Sequence, residues 1–408
     1  MHIALVTPYL PDPPNTGGRI RIARLAAALA REGALHLFSA VTEDDEGAEM
    51  RRGGRSFEPY ARVLTHVVQP PESRPWREGP ALARRFPEAL ARALGAAHDA
   101  RPFDAVVVAH TCAGLGLRHV HGTTVVLDEH EVQSDVARRL LSSRATSLAR
   151  GAVDIQRWQS FERTIWSRVD AITVSRAEDA ARVHAERPDT GLVVPNGVDA
   201  QGLGYRPPSH RKGNTVLFVG NMAHRANQEA AKVLALEVLP RVRRRVPGAS
   251  LTIAGRSPTR EVRSLEADEV RVTGTLLSLA PLYQDHVVFA VPPIPGQAMS
   301  LKILEPLSCG MPLVGPPSFA RDLPLETGTH YLAARDMREV AGQVVQVLQR
   351  REAFDAMALA AKRVAERLDW EIVGERFARA MMAAIARRVG GVEVTRAEAL
   401  RGRPGQLS

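Results

Sequence analysis

Cysteine is scarce in this chain. Its 408 residues hold two, Cys112 and Cys309, each in apolar or glycine-rich surroundings where a small buried side chain is the ordinary reading. That argues against a disulfide framework and against a thiolate metal centre. Lysine is nearly missing too, at 212, 232, 302 and 362 only, so arginine carries the positive charge and each lysine stands out. No apolar run approaches the roughly 18 residues of a membrane-spanning helix, and a soluble protein is expected. The opening residues Met1 to Pro8 carry no basic stretch and meet a proline early, which reads as a first strand and an expected cytoplasmic location.

What is present fits a globular chain: 45% hydrophobic and 24% charged residues, in a length that favours two domains over one. The formal charge of +9 suits nucleic acid, anionic lipid or phosphorylated substrates alike. The arginines at 241, 243, 244 and 245 read as a solvated helix face. Arg74 to Phe86 mixes arginine with aromatics, which keeps a weak peripheral membrane contact open. No recognition helix or RNA-binding signature supports a nucleic-acid partner. A basic membrane- or nucleic-acid-binding protein is the rival reading of another class.

Alternation of apolar strands and amphipathic helices predicts an α/β chain with parallel sheets. Strands are expected at Ile3–Thr7, Leu35–Val41, Ala105–Ala109, Thr124–Leu127 and Ala171–Val174, with helices at Arg19–Glu32 and Ala81–Ala97. Ser175 and Glu178 have the spacing of a capping box that opens a further helix. The polar stretch Tyr205 to Asn214 reads as a linker. A second series follows: strand Thr215–Gly220, helix Gln228–Val246, strands Ser250–Ala254, Val270–Thr273 and Val287–Val291, helix Leu301–Cys309 and strand Pro312–Val314. Two doubly wound, Rossmann-like domains facing across a cleft are expected, spanning 1–198 and 199–370. A C-terminal helix at 371–388 completes the first, and 389–408 is expected to be a disordered tail.

The segment from Pro295 to Val314 carries the most chemistry. A glycine loop opening a helix makes an anion site, because the free N–H groups and the positive end of the helix dipole both favour phosphate. Lys302 adds a charge on the first turn, and Glu305, three residues on, shares its face and suits a ribose diol. The bland alternative is a surface ion pair between the two.

This segment, Gly296-Gln-Ala-Met-Ser-Leu-Lys302-Ile-Leu-Glu305 through Gly310-Met-Pro312-Leu-Val314, resembles the donor-binding signature of retaining GT-B glycosyltransferases of family four. The resemblance implies that Glu305 binds ribose, that Gln297 stands where the family commonly has a second glutamate facing the donor sugar, and that Met299, Ser300, Leu301 and Lys302 line the diphosphate. An amide keeps hydrogen bonding to sugar hydroxyls but carries no charge. Further segments match by the same resemblance. Asn221 ends the first strand of the nucleotide domain, Arg225 stands in for a diphosphate-gripping cation, Arg256 ends a strand as a phosphate or base contact, and Leu276 belongs to the segment lining the nucleobase.

In the first half, Gly17 and Gly18 permit close approach of backbone to ligand, and the resemblance places Gly18 opposite the donor phosphate. Asp128-Glu129-His130-Glu131 resembles the histidine-glutamate segment of the family, which makes His130 the residue at the reaction centre. His110, with the same address after its strand, and Glu131 are the acceptor-side candidates. The resemblance implies transfer of a hexose-type sugar from a nucleotide-diphosphate donor to a hydroxyl of a natural product, lipid-linked glycan or polysaccharide, with retention of configuration. It also implies no metal, and no cofactor beyond the nucleotide sugar as co-substrate. A nucleotide-sugar epimerase of the same architecture, or a relative that binds nucleotide sugars without transfer, is the enzymatic rival.

Overall fold

The computed structural model describes all residues except 13, 15, 42–62, 69–85, 143–147, 277, 295–299, 320–322 and 391–408. The chain divides into two compact units: Met1–Pro195 with Glu371–Ser408, and Asn196–Trp370. The expected division lay three residues later, at 198.

The first unit is built on β1 (His2–Thr7), β2 (Ala34–Val41), β3 (Val63–Val68), β4 (Ala105–Ala109), β5 (Thr124–Glu129), β6 (Ala171–Val174) and β7 (Gly191–Val193), in the sheet order β3-β2-β1-β4-β5-β6-β7. All its pairings are parallel. Strands covered on both faces need continuous apolar runs, and Ala-Val-Val-Val-Ala of β4 is buried at every position. Helices α1 (Gly17–Glu32), α2 (Glu88–Ala100), α3 (Gln133–Ser142), α4 (Leu148–Trp166) and α5 (Ala177–Glu186) connect the strands. Thr16 starts α1 by accepting the Arg19 amide at 3.2 Å, the N-cap that hydroxyl residues favour.

The second unit carries β8 (Thr215–Val219), β9 (Ser250–Ala254), β10 (Val270–Val272), β11 (Val288–Ala290), β12 (Leu313–Gly315) and β13 (Leu332–Ala333), ordered β10-β9-β8-β11-β12-β13 and parallel throughout. Its helices include α6 (Arg225–Val233), α7 (Ala280–Asp285), α8 (Ser300–Ser308), α9 (Met337–Gln349) and α10 (Asp355–Arg367). Helix α11 (Trp370–Gly390) then returns the chain to the first unit. In each sheet the order reverses beside the first strand, between β1 and β4 and between β8 and β11. That reversal is where doubly wound sheets bind ligands, at the strands' carboxyl ends.

Four expectations need correction. Ser175 does not form a capping box: its hydroxyl donates to the His130 carbonyl at 3.1 Å, and Arg176 is an N-cap of α5 without a side-chain bond. The helix expected at Ala81–Ala97 begins at Glu88, after Pro87, and residues 81–85 lie outside the described residues. The helix expected at Gln228 begins at Arg225 and is interrupted by a π-helical turn at Leu234–Val238.

The stretch from Tyr205 to Asn214 is not a solvated linker. Its Arg211 is 1% exposed and donates to the carbonyls of Arg206 at 3.1 Å and of Tyr283, His286 and Cys309 at 2.6 Å each. The last three carbonyls lie at the C-terminal ends of α7 and α8, where a cation is favoured by unpaired C=O groups and by the helix dipole. The expected tail at 389–408 lies almost wholly outside the described residues.

Gly255 shows how closely β8 and β9 end together. Its φ is +135°, and a Cβ there would lie 1.8 Å from the Gly220 carbonyl oxygen. Gly255→Ala is expected to destabilise the second unit by about 3 kcal/mol through backbone strain and overlap. Urea unfolding checks this, and an unchanged midpoint contradicts it.

Candidate functional site

In the first unit the candidate residues converge at the carboxyl ends of β1, β4 and β5. Asp128 is 1% exposed and receives Arg21 in bidentate fashion, Nε to Oδ2 at 2.8 Å and a terminal nitrogen to Oδ1 at 2.6 Å. Arg21 also donates to the Pro195 carbonyl at 3.2 Å, and the Thr173 hydroxyl donates to Asp128 at 2.8 Å. Burial alone would raise the Asp128 carboxyl. The guanidinium, with His130, overrides it and holds the group well below the usual carboxylate range.

His130 Nε2 lies 3.3 Å from Asp128 Oδ2. This close approach adds to Arg21 in stabilising the Asp128 carboxylate. Gly18 belongs to the same cluster, because a Cβ on it would sit 2.2 Å from the Tyr9 hydroxyl and 3.6 Å from His130 Nδ1. The absence of a side chain is therefore a packing requirement.

His110 stands beside His130, their rings 5.5 Å apart and edge to face. Its φ of +75° is a left-handed conformation that a histidine holds only where its surroundings impose it. Nδ1 accepts the Cys112 amide at 3.4 Å, and Nε2 is 3.4 Å from the Gln133 amide. Burial, followed by the His130 charge, pushes the imidazole down to about 3, so the ring is neutral at physiological pH. Glu131 is not part of the cluster: it pairs with Arg139 at 3.2 Å, both side chains 45% exposed.

In the second unit, Lys302 lies on the first turn of α8, after Ser300 and Leu301, which open that helix. Burial and the nearby Arg256 charge push its ammonium down to about 8, against a smaller opposing effect of Glu305. Lys302 and Glu305 form no ion pair, and among the described residues Lys302 has no hydrogen-bond acceptor. The surface-ion-pair alternative therefore fails. Glu305 instead accepts the Tyr283 hydroxyl on Oε2 at 2.5 Å, which leaves Oε1 without a donor among the described residues. Its carboxyl is raised by burial, with Tyr283 and Lys302 opposing. Tyr283, fully buried on α7, has no local sequence signal, since it meets Glu305 from 22 positions away.

Asn221 turns inward on its own loop, its side chain accepting the Ala223 amide at 3.1 Å and its carbonyl accepting from Asn227 at 2.8 Å. Met222 bonds to the Arg256 carbonyl at 2.9 Å, which ties the ends of β8 and β9 together. Arg225 is exposed at the start of α6, and its charge acts on Lys232 rather than on Lys302. Leu276 is 38% exposed. Gln297 and Met299 lie outside the described residues.

Residues 213–350 match the family model for glycosyl transferases group 1. Among solved structures, the chain is similar to HepE of Anabaena in complex with UDP and glucose, at 14% identity and a TM-score of 0.64 over 94% of this chain and 100% of that one. Sucrose-phosphate synthase of Thermosynechococcus elongatus gives 17% identity and 0.64 over 94% and 99%. A glycosyltransferase of Rickettsia africae gives 8% and 0.60 over 94% and 98%. No curated protein sequence matches the chain. The fold is thus that of the GT-B glycosyltransferases. Residues 213–350, the part of the chain that matches the group 1 glycosyl transferase model, hold Lys302 and Glu305.

Breaking the Arg21–Asp128 pair leaves a buried charge without its main partner. Arg21→Met is expected to cost about 3–5 kcal/mol of stability at neutral pH, read by chemical denaturation. A carboxyl held below its unfolded value contributes stability above the unfolded pKa and loses it as pH falls through the folded one. The gap between variant and parent should therefore narrow in strong acid, and a gap independent of pH contradicts the assignment.

Proposed function

We propose that the chain binds a nucleotide-diphosphate sugar through Lys302, Arg256 and Glu305 and transfers the sugar to a hydroxyl acceptor with retention of configuration. The observation that carries this reading is Lys302: a desolvated ammonium, beside a second cation, with no anion of its own. A diphosphate supplies the missing acceptor, and the N-terminal turn of α8 adds its free N–H groups. Glu305 Oε1 is then available to a ribose hydroxyl while Tyr283 fixes the carboxylate's orientation. HepE has been solved with UDP-glucose, which makes a uridine diphosphate hexose the first donor to test.

Bond cleavage at the anomeric carbon leaves negative charge on the diphosphate, and preplaced cations stabilise that charge. With retention, the acceptor hydroxyl enters on the leaving-group face and its proton passes to the departing diphosphate. No separate carboxylate base is needed. His130, held against Asp128, orients hydroxyls at the reaction centre, with Gly18 keeping the adjoining surface open. The neutral His110 ring is placed to meet the acceptor. A soluble acceptor and a lipid-linked one both accord with the described residues, in which no helix is long and apolar enough to cross a membrane.

Lys302→Met should weaken UDP binding by about 10- to 100-fold, as expected for the loss of a charge-assisted contact of roughly 1.5–3 kcal/mol. Tyr283→Phe should weaken it less, by about fivefold, since it frees Glu305 without removing it. Calorimetric titration with UDP and GDP checks both. Parental affinity in Lys302→Met places the diphosphate elsewhere, and no binding of any nucleoside diphosphate by the parent protein overturns the donor reading.

A further inference from the structure

On the opposite side of β5 from Arg21 lies a polar cluster that the donor and acceptor roles leave unused. Successive strand residues face opposite ways, so Asp128 meets Arg21 while Glu129 turns toward α4. Glu129 is fully buried, and its Oε2 receives the Thr111 hydroxyl and, at 3.3 Å, the Trp166 indole N–H. Its Oε1 has no partner. Glu162 of α4, 1% exposed, accepts the Ser134 amide at 2.9 Å on Oε1, and its Oε2 is also without a partner. Glu162 thus satisfies an N–H at the start of α3, the helix that follows the His130 loop.

Two donors converge on one oxygen of Glu129, so the proton of a neutral carboxyl belongs on Oε1, where it is a donor in need of an acceptor. Glu162 Oε2 is an acceptor in need of a donor. A fully buried carboxyl with one oxygen left unpartnered and a second buried carboxyl nearby favours its protonated form. We propose that Glu129, kept neutral, is a positioning residue that holds the left-handed turn at His110 through Thr111, while Glu162 anchors the start of α3 beside His130. For its bearing on catalysis this rests on the acceptor-side reading of His110. The geometric claim itself is independent of nucleotide binding.

Burial pushes Glu129 well above the usual carboxylate range, with Glu162 adding to it, and burial raises Glu162 as well. The other charged or titratable groups around the pair are Cys112 after β4, Asp179 of α5 with its partner Arg176, and Asp135 of α3 with its partner Arg138. Both aspartates already hold an arginine, so neither is free to take the Glu129 proton. Loss of that proton places a charge where the nearby arginines are already committed to Asp179 and Asp135, and the His110 turn loosens.

The test is the pH course of the imidazole signals in the full chain labelled with 15N-histidine. In the parent protein the His110 signals should shift in a step well above the ordinary carboxylate range, although the ring itself is neutral there. Glu129→Gln keeps the shape and hydrogen-bond character of the neutral acid, so the step should vanish while the low-pH signals stay in place. Glu162→Gln removes the neighbouring charge and should move the step down by about one pH unit or more. The same step in parent and Glu129→Gln overturns the proposal. If Glu129→Gln fails to fold, an unmoved step in Glu162→Gln overturns it instead. UDP titration of the same samples separates the two readings: UDP binding with an unchanged step defeats only the positioning role, and a lost step without UDP binding defeats only the donor reading.

Discussion

A desolvated ammonium without an anion is costly to hold, and the second unit is arranged so that Lys302 is held that way. Burial and Arg256 both act against its charge. Among the described residues the carboxyl beside it, Glu305, is committed to Tyr283. Tyr283 is carried by α7 and Glu305 by α8, and Arg211 holds the C-terminal ends of both helices. Burial lowers the Arg211 guanidinium only to about 10, so it remains a full cation at neutral pH. One arginine on carbonyls therefore ties together the two helices that bring Tyr283 to Glu305.

The first unit follows a different rule. Its central carboxylate, Asp128, already has its cation, so the Arg21 pair serves as a rigid base for His130 rather than as a ligand site. The neighbouring residue on β5 points the other way and keeps its proton. One strand end thus presents a charged acid toward one histidine and a neutral acid beneath the other. Ser175 joins this support by taking the His130 carbonyl.

The parallel strands were legible because buried strands need uninterrupted apolar runs, and Ala105–Ala109 or Ser250–Ala254 can be read without any partner. Lys302 and Glu305 were legible because glycine loop, helix start and cation lie within ten residues. Tyr283 and Arg211 were not, since their roles come from contacts 22 and 72 to 98 positions away and their local sequences are unremarkable for a helix and a linker. The Asp128–Glu131 segment was found, but the choice among its acids was not. Glu131 was the acceptor-side candidate and Glu129 was given no role, whereas strand alternation buries Glu129 and Glu131 pairs with Arg139. Ser175 misled for a related reason: a hydroxyl three residues before a glutamate fits a capping box, yet this one is turned to donate to the His130 carbonyl instead of accepting a helix N–H.

The account turns on Lys302 receiving its anion from the ligand. A diphosphate bound there must raise the lysine from about 8, so binding near pH 8 should take up protons. Calorimetric UDP titrations at pH 8 in buffers of different ionisation enthalpy measure that number directly. About half a proton per site is expected in the parent chain, with none in Lys302→Met. UDP binding to the parent with no more proton uptake than Lys302→Met shows would contradict the account.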